Sequence, residues 1–163
     1  MKRRNLALLE LALVILFTAL SAAVLVQVFA AARQTSEDSR ARTLGQAMAQ
    51  DLIERWRAGE EANALFEEAG GWQALSNEAC AGLLDSLDAP EDAELAPIGG
   101  RALLLDAALL PATGENTAYR LEAALAEEPQ PAGRLCHLVV RLWAVHSGQE
   151  LFCFAASQYQ PGP

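Results

Sequence analysis

Residues 11–32 read LALVILFTALSAAVLVQVFAAA, twenty-two consecutive positions without a charge. As a helix this run is about 33 Å long, enough to cross the hydrocarbon core of a bilayer. Thr18, Ser21 and Gln27 are its only polar side chains, and the two hydroxyls can bond back to the helix backbone. Lys2, Arg3 and Arg4 precede the run. The positive-inside rule puts such a basic anchor in the cytoplasm and the rest of the chain on the other side of the membrane. The competing reading is a secretory signal cut near Ala30, in VFAAAR; the run is longer than the usual signal core. Glu10 stands immediately before the run. An ionised side chain deep in hydrocarbon is costly, about 2.5–3.5 kcal/mol on insertion scales, so its presence requires a reason.

Outward from the run, residues 33–58 carry no proline and one interior glycine, Gly45. Leu44, Met48, Leu52 and Trp56 recur every fourth position, and Ile53 widens the stripe. This spacing predicts an amphipathic helix with one core-facing side. Gly59 is its expected stop. Residues 1–5 are then a basic leader, 6–32 a transmembrane helix, 33–58 an amphipathic continuation of the same rod, and 59–163 a globular part outside the membrane.

Within that part, residues 60–88 read as two short helices broken at Gly70-Gly71, and residues 88–100, DAPEDAELAPIGG, as an acidic loop ending in a turn. The loop lacks the carboxylate spacing of a calcium loop. From residue 101 to 159 the pattern changes to strand-like runs, RALLLD, AYRLEAAL, RLCHLVVRLWAV and QELFCFAA. In the third, Cys136, Leu138, Val140, Leu142 and Ala144 share one face, and His137, Arg141 and Trp143 the other. Such alternation predicts an antiparallel sheet covered on one side. The expected cover is the Leu44–Trp56 stripe, packing on Leu138, Val140 and Leu142. The fold class is therefore α+β: a long N-terminal helix, half transmembrane and half amphipathic, on a small C-terminal antiparallel sheet. A two-residue turn at Ser147-Gly148 would set Leu142 opposite Cys153 and leave Cys136 about 20 Å along the strand. That is too far for a disulfide, so both cysteines read as small buried hydrophobes.

The chemistry-bearing residues are sparse. Cys80, Cys136 and Cys153 show no CxxC spacing and form no cluster with His137 and His146, so no metal site or other cofactor is expected. The two histidines differ in strand parity, and no serine sits on a nucleophile elbow; no catalytic residue emerges and the chain does not read as an enzyme. The formal net charge is −9, with fifteen acids against Arg101 and Arg120 between Glu60 and Glu128. That distribution disfavours nucleic acid as a direct partner.

The basic leader, the apolar run with an early glutamate, the long amphipathic helix and the terminal sheet together resemble a type IV pilin-like protein, in particular a pseudopilin or minor pilin. The stretch KRRNLALLE carries the resemblance. Asn5 falls where the family has the glycine before its cleavage site, Leu6 where it has phenylalanine, and Glu10 matches its glutamate. The terminal pattern HSGQELF to SQYQP is similar to the ends of such proteins from Gram-positive bacteria. The resemblance implies cleavage by a prepilin peptidase between Asn5 and Leu6, methylation of the new terminus, and a subunit of a type II secretion, pilus or DNA-uptake apparatus. It implies that Glu10 of one subunit meets the Leu6 amine of another, and that the partners are homologous subunits, assembly machinery and membrane lipid. The expected location is a single-pass inner or cell membrane protein or a surface filament. Two alternatives stay open. Glu10 sits hydrated near Arg3 and Arg4 at the cytoplasmic interface, or the chain is a single-pass membrane anchor for an α+β domain that binds a ligand or partner.

Overall fold

The computed structural model describes residues 2–67, 71–87 and 95–162, with the side chains of the first helix described from Leu9 onward. The acidic stretch 88–94 and Gly70 lie outside the described residues. The elements are α1 (Lys2–Arg57), α2 (Ala62–Glu67), β1 (Gln73–Ala74), α3 (Asn77–Leu84), β2 (Ala96–Leu105), β3 (Tyr119–Gln130), β4 (Gly133–Ala144) and β5 (Gln149–Pro161), with a short 3-10 turn at Gly114–Asn116. The chain divides into two compact units, Met1–Glu37 and Asp38–Pro163.

The first unit is the N-terminal part of α1. Its two threonine hydroxyls bond back to the helix itself. Thr18 Oγ1 donates to the Val14 and Ile15 carbonyls at 3.0 and 2.9 Å, and Thr35 Oγ1 to the Ala31 carbonyl at 2.9 Å. Arg33 and Glu37 pair across one turn at 2.8 Å.

The second unit is a five-stranded antiparallel sheet in the order β1-β2-β3-β4-β5 with α1 residues packed on one face. Ala41, Ala49, Leu52 and Trp56 share a core with Leu121, Ala123, Leu125, Leu138, Val140 and Leu142. The α+β arrangement is thus as the sequence indicates, but the helix face differs in detail. Leu44 is 41% exposed and Met48 only partly buried. The line of closest approach instead runs through the small residues Ala41, Gly45 and Ala49. A Cβ on Gly45 would lie 2.6 Å from Leu142 Cδ2 and 3.0 Å from Phe152 Cε1. Small side chains let the helix settle on the sheet, and that rotation turns Leu44 to its flank. The helix ends as Gly59 predicts. Gly59, at φ +92°, donates to the Trp56 carbonyl and Glu60 N–H to that of Arg55, the paired bonds of a Schellman motif.

Four other expectations need correction. The segment APIGG is strand, not turn: β2 begins at Ala96 and absorbs an irregularity between Pro97 and Gly99. A two-residue strand, β1, extends the sheet beyond β2, so the sheet is wider than residues 101–159. Both faces are covered. Leu83 and Leu84 of α3 pack on Ala124, Ala126 and Val139 in a second core, opposite the α1 face. Ser76 caps that helix, accepting from Ala79 N–H at 3.2 Å. The β4–β5 turn takes four residues, 145–148, so His146 lies in the turn and on no strand. With an irregularity between Leu142 and Trp143, Leu142 opposes Phe152, and Cys153 opposes Arg141. The conclusion for the thiols is unaffected: all three cysteines are free, Cys80 and Cys136 buried and Cys153 half-buried.

Candidate functional site

Three features carry chemistry or surface. The first is α1 before the sheet. Every described side chain from Leu9 to Glu37 is exposed. These include Leu11 at 57%, Phe17 at 72% and Phe29 at 72%. An apolar surface of this extent marks contact with lipid or protein, and this part of the helix is long and apolar enough to cross a membrane. Glu10 is exposed at its start and has no ion pair with another described residue. The side chains of Lys2, Arg3, Arg4, Asn5 and Leu6 lie outside the described residues, so the cleavage position and the basic anchor stand as sequence expectations.

The second is a polar cluster on the α3 face of the sheet, which the sequence reading missed. Glu122 of β3 is 5% exposed. Its Oε2 accepts from Arg141 Nε at 3.2 Å, Arg141 Nη2 at 2.9 Å and Trp143 Nε1 at 3.1 Å, and its Oε1 lies 2.9 Å from Arg120 Nη2. The Arg141 guanidinium lies 4.8 Å from the centre of the Trp143 ring. The register explains the meeting, because Glu122 opposes Arg141 and Arg120 opposes Trp143. The only sequence signal was parity: Arg141 and Trp143 share a face. A buried carboxylate with this many donors is held in place, and its chemistry is that of a cross-strand clamp.

The third is a chain of side chains across β3, β4 and β5. His137, buried, has Nδ1 2.8 Å from Ser157 Oγ and Nε2 3.4 Å from Glu128 Oε2. Serine, histidine and carboxylate in series are the components of a nucleophilic triad. Here Ser157 lies in mid-strand on a pleated surface rather than on a turn that would present its hydroxyl. His137 and Ser157 are a directly opposed pair, which is sufficient to explain their bond. Burial pushes all three thiols above the ordinary cysteine range, which favours the unreactive protonated form.

Of the sequence-derived core, Leu52, Trp56, Leu138, Val140 and Leu142 are brought together. No protein-family model matches the chain, and no curated protein or solved structure matches it.

Proposed function

We propose that this chain is a non-catalytic filament subunit of the pseudopilin or minor pilin kind, inserted in and assembled through the apolar part of α1. The observation that supports this reading most is the unbroken α1. Its apolar stretch Leu9–Phe29 is wholly exposed, while its residues from Ala41 to Trp56 enter the sheet core. In this reading a prepilin peptidase cuts between Asn5 and Leu6, and the domain lies outside the cytoplasm. The freed Leu6 amine of one subunit meets Glu10 of its neighbour within the packed apolar helices. Two charges that are each costly in a low-dielectric core then neutralise one another. Leaving either alone costs on the order of 3–5 kcal/mol, which makes Glu10 an assembly residue.

The test is substitution at Glu10 in cells that carry the assembly apparatus. Glu10→Ala should leave folding, insertion and leader cleavage intact and abolish recovery of the subunit in filaments. Glu10→Gln, which keeps shape and loses charge, should do the same. Filaments containing either variant at wild-type amounts would overturn the reading, as would a mature chain that keeps Met1 in the presence of active peptidase.

A further inference from the structure

The two edges of the sheet are finished differently. Along β2, β1 pairs with Arg101 and Ala102, and Leu75 N–H bonds the Gly100 carbonyl. Farther on, the Ala112 N–H bonds the outward Leu104 carbonyl at 2.8 Å. Strand β5, 13 residues long, pairs with β4 alone among the described residues, with Leu151 skipped at the irregularity. It has few of the devices that protect an exposed edge: no lysine, a single charge at Glu150, and no proline before Pro161.

The direction of its free groups follows from one bond. Gly162 N–H donates to the Ala132 carbonyl at 3.0 Å, flanking the Gly133–Pro161 pair. That makes Gly133–Pro161 a pair without mutual ladder bonds, and antiparallel alternation sets the rest. Gln160, Gln158, Ala156 and Phe154 turn their N–H and C=O groups to β4. Tyr159, Ser157, Ala155 and Cys153 turn theirs outward. The close His137–Ser157 contact fits this alternation, since pairs without ladder bonds bring side chains nearest.

Beside this edge runs a groove of about 390 Å³ between β5 and the flank of α1, with Ile53, Phe154 and Ala156 as its apolar lining and Glu54 and Arg57 on its wall. We propose that the β5 edge is a strand-addition site. It takes an extended, neutral, proline-free segment of a partner protein, paired to the backbone of Cys153, Ala155, Ser157 and Tyr159, with apolar side chains on alternate positions entering the groove. The backbone row demands a strand. The groove selects apolar residues on the helix side only, and the opposed charges of Glu54 and Arg57 favour a segment without net charge.

The experiment uses the full chain in detergent micelles and a labelled peptide of about ten residues alternating valine and threonine, near the usual strand length. The amides of Cys153, Ala155, Ser157 and Tyr159 should exchange rapidly in the chain alone and slow by about tenfold or more with peptide, while Phe154 and Ala156 stay slow throughout. The same peptide methylated on all its backbone nitrogens, which leaves neither edge able to pair, should not bind. Ala155→Pro removes an outward N–H and no bond to β4, so it should lose peptide binding with the sheet intact. Absence of peptide protection would overturn the proposal, as would binding of the methylated peptide. Protection that rises with chain concentration alone would give the edge to a second copy and also overturn it.

Discussion

Gly45 of α1 lies directly against Leu142 of β4, so close that a methyl group in its place would stand 2.6 Å from Leu142 Cδ2. Alanine is the better helix former by about 1 kcal/mol. Leu142 is fully buried, however, so making room means shifting a core side chain. Overpacking a tight core costs about 1–3 kcal/mol. Gly45→Ala should therefore destabilise the domain despite its propensity, and Gly45→Leu should do so more strongly, both measured by urea unfolding. A gain of about 1 kcal/mol for alanine, the full propensity difference, would mean that the helix stands off the sheet.

The core residues of the second unit all lie between Ala41 and Ala156. A chain beginning at Arg33 should accordingly fold as a soluble α+β domain. In it, Trp56→Ala should cost about 3–5 kcal/mol, as for other buried aromatics. Leu44→Ala should change stability by no more than about 0.5 kcal/mol, as at surface positions. Equal losses at the two sites would return Leu44 to the core.

The Arg55 Nε group donates to Glu60 Oε2 at 2.7 Å, across the end of α1. That bond holds the Glu60 carboxyl below the usual glutamate range, against a smaller opposing effect of burial. The sign follows from linkage. A depressed carboxyl adds stability at pH values above its unfolded value, near about 4.3, and that stability is lost as pH falls through the folded value. Carbon-detected NMR titration should find Glu60 below the ordinary range. Arg55→Ala should return it to that range and flatten the acid dependence of helix-end fraying. An unchanged titration in the variant would remove Arg55 as the cause.

Much of this fold was legible because two periodicities are strong in the sequence. The charge-free run and the fourfold stripe mark α1, and alternation in RLCHLVVRLWAV marks β4. Other parts depend on contacts that no local pattern carries. Pro97, Gly99 and Gly100 read as a turn, yet their strand follows β3 with a bulge. Leu83 and Leu84 read as helix positions, but nothing nearby in sequence says that they cover the second sheet face. Leu44 fits the stripe, but Ala41, Gly45 and Ala49 fix which side of the helix descends. Among the candidate site residues, Glu10 stood out because its surroundings are apolar. Glu122 did not, because one acid among many in an acidic region becomes notable only when the register brings Arg141 and Trp143 to it.

That register gives a further expectation. Glu122→Ala should strand the Arg141 guanidinium, whose side chain is 15% exposed, and cost about 3–5 kcal/mol, as for other broken buried pairs. The double variant Glu122→Leu with Arg141→Met should recover most of that loss, because two apolar groups replace the pair. A double variant no more stable than the single one would show that the cluster contributes net stability.

The proposal that α1 packs with its like is tested most directly by cross-linking in native membranes. Single cysteines at successive positions from Leu11 to Val28, in a chain lacking Cys80, Cys136 and Cys153, would be joined to partners by a short bifunctional reagent. The expected result is a staggered pattern, with each position meeting a different position of its neighbour, and loss of that pattern when Glu10 is alanine. Equal cross-linking with and without Glu10, or none in either, would contradict assembly through this helix.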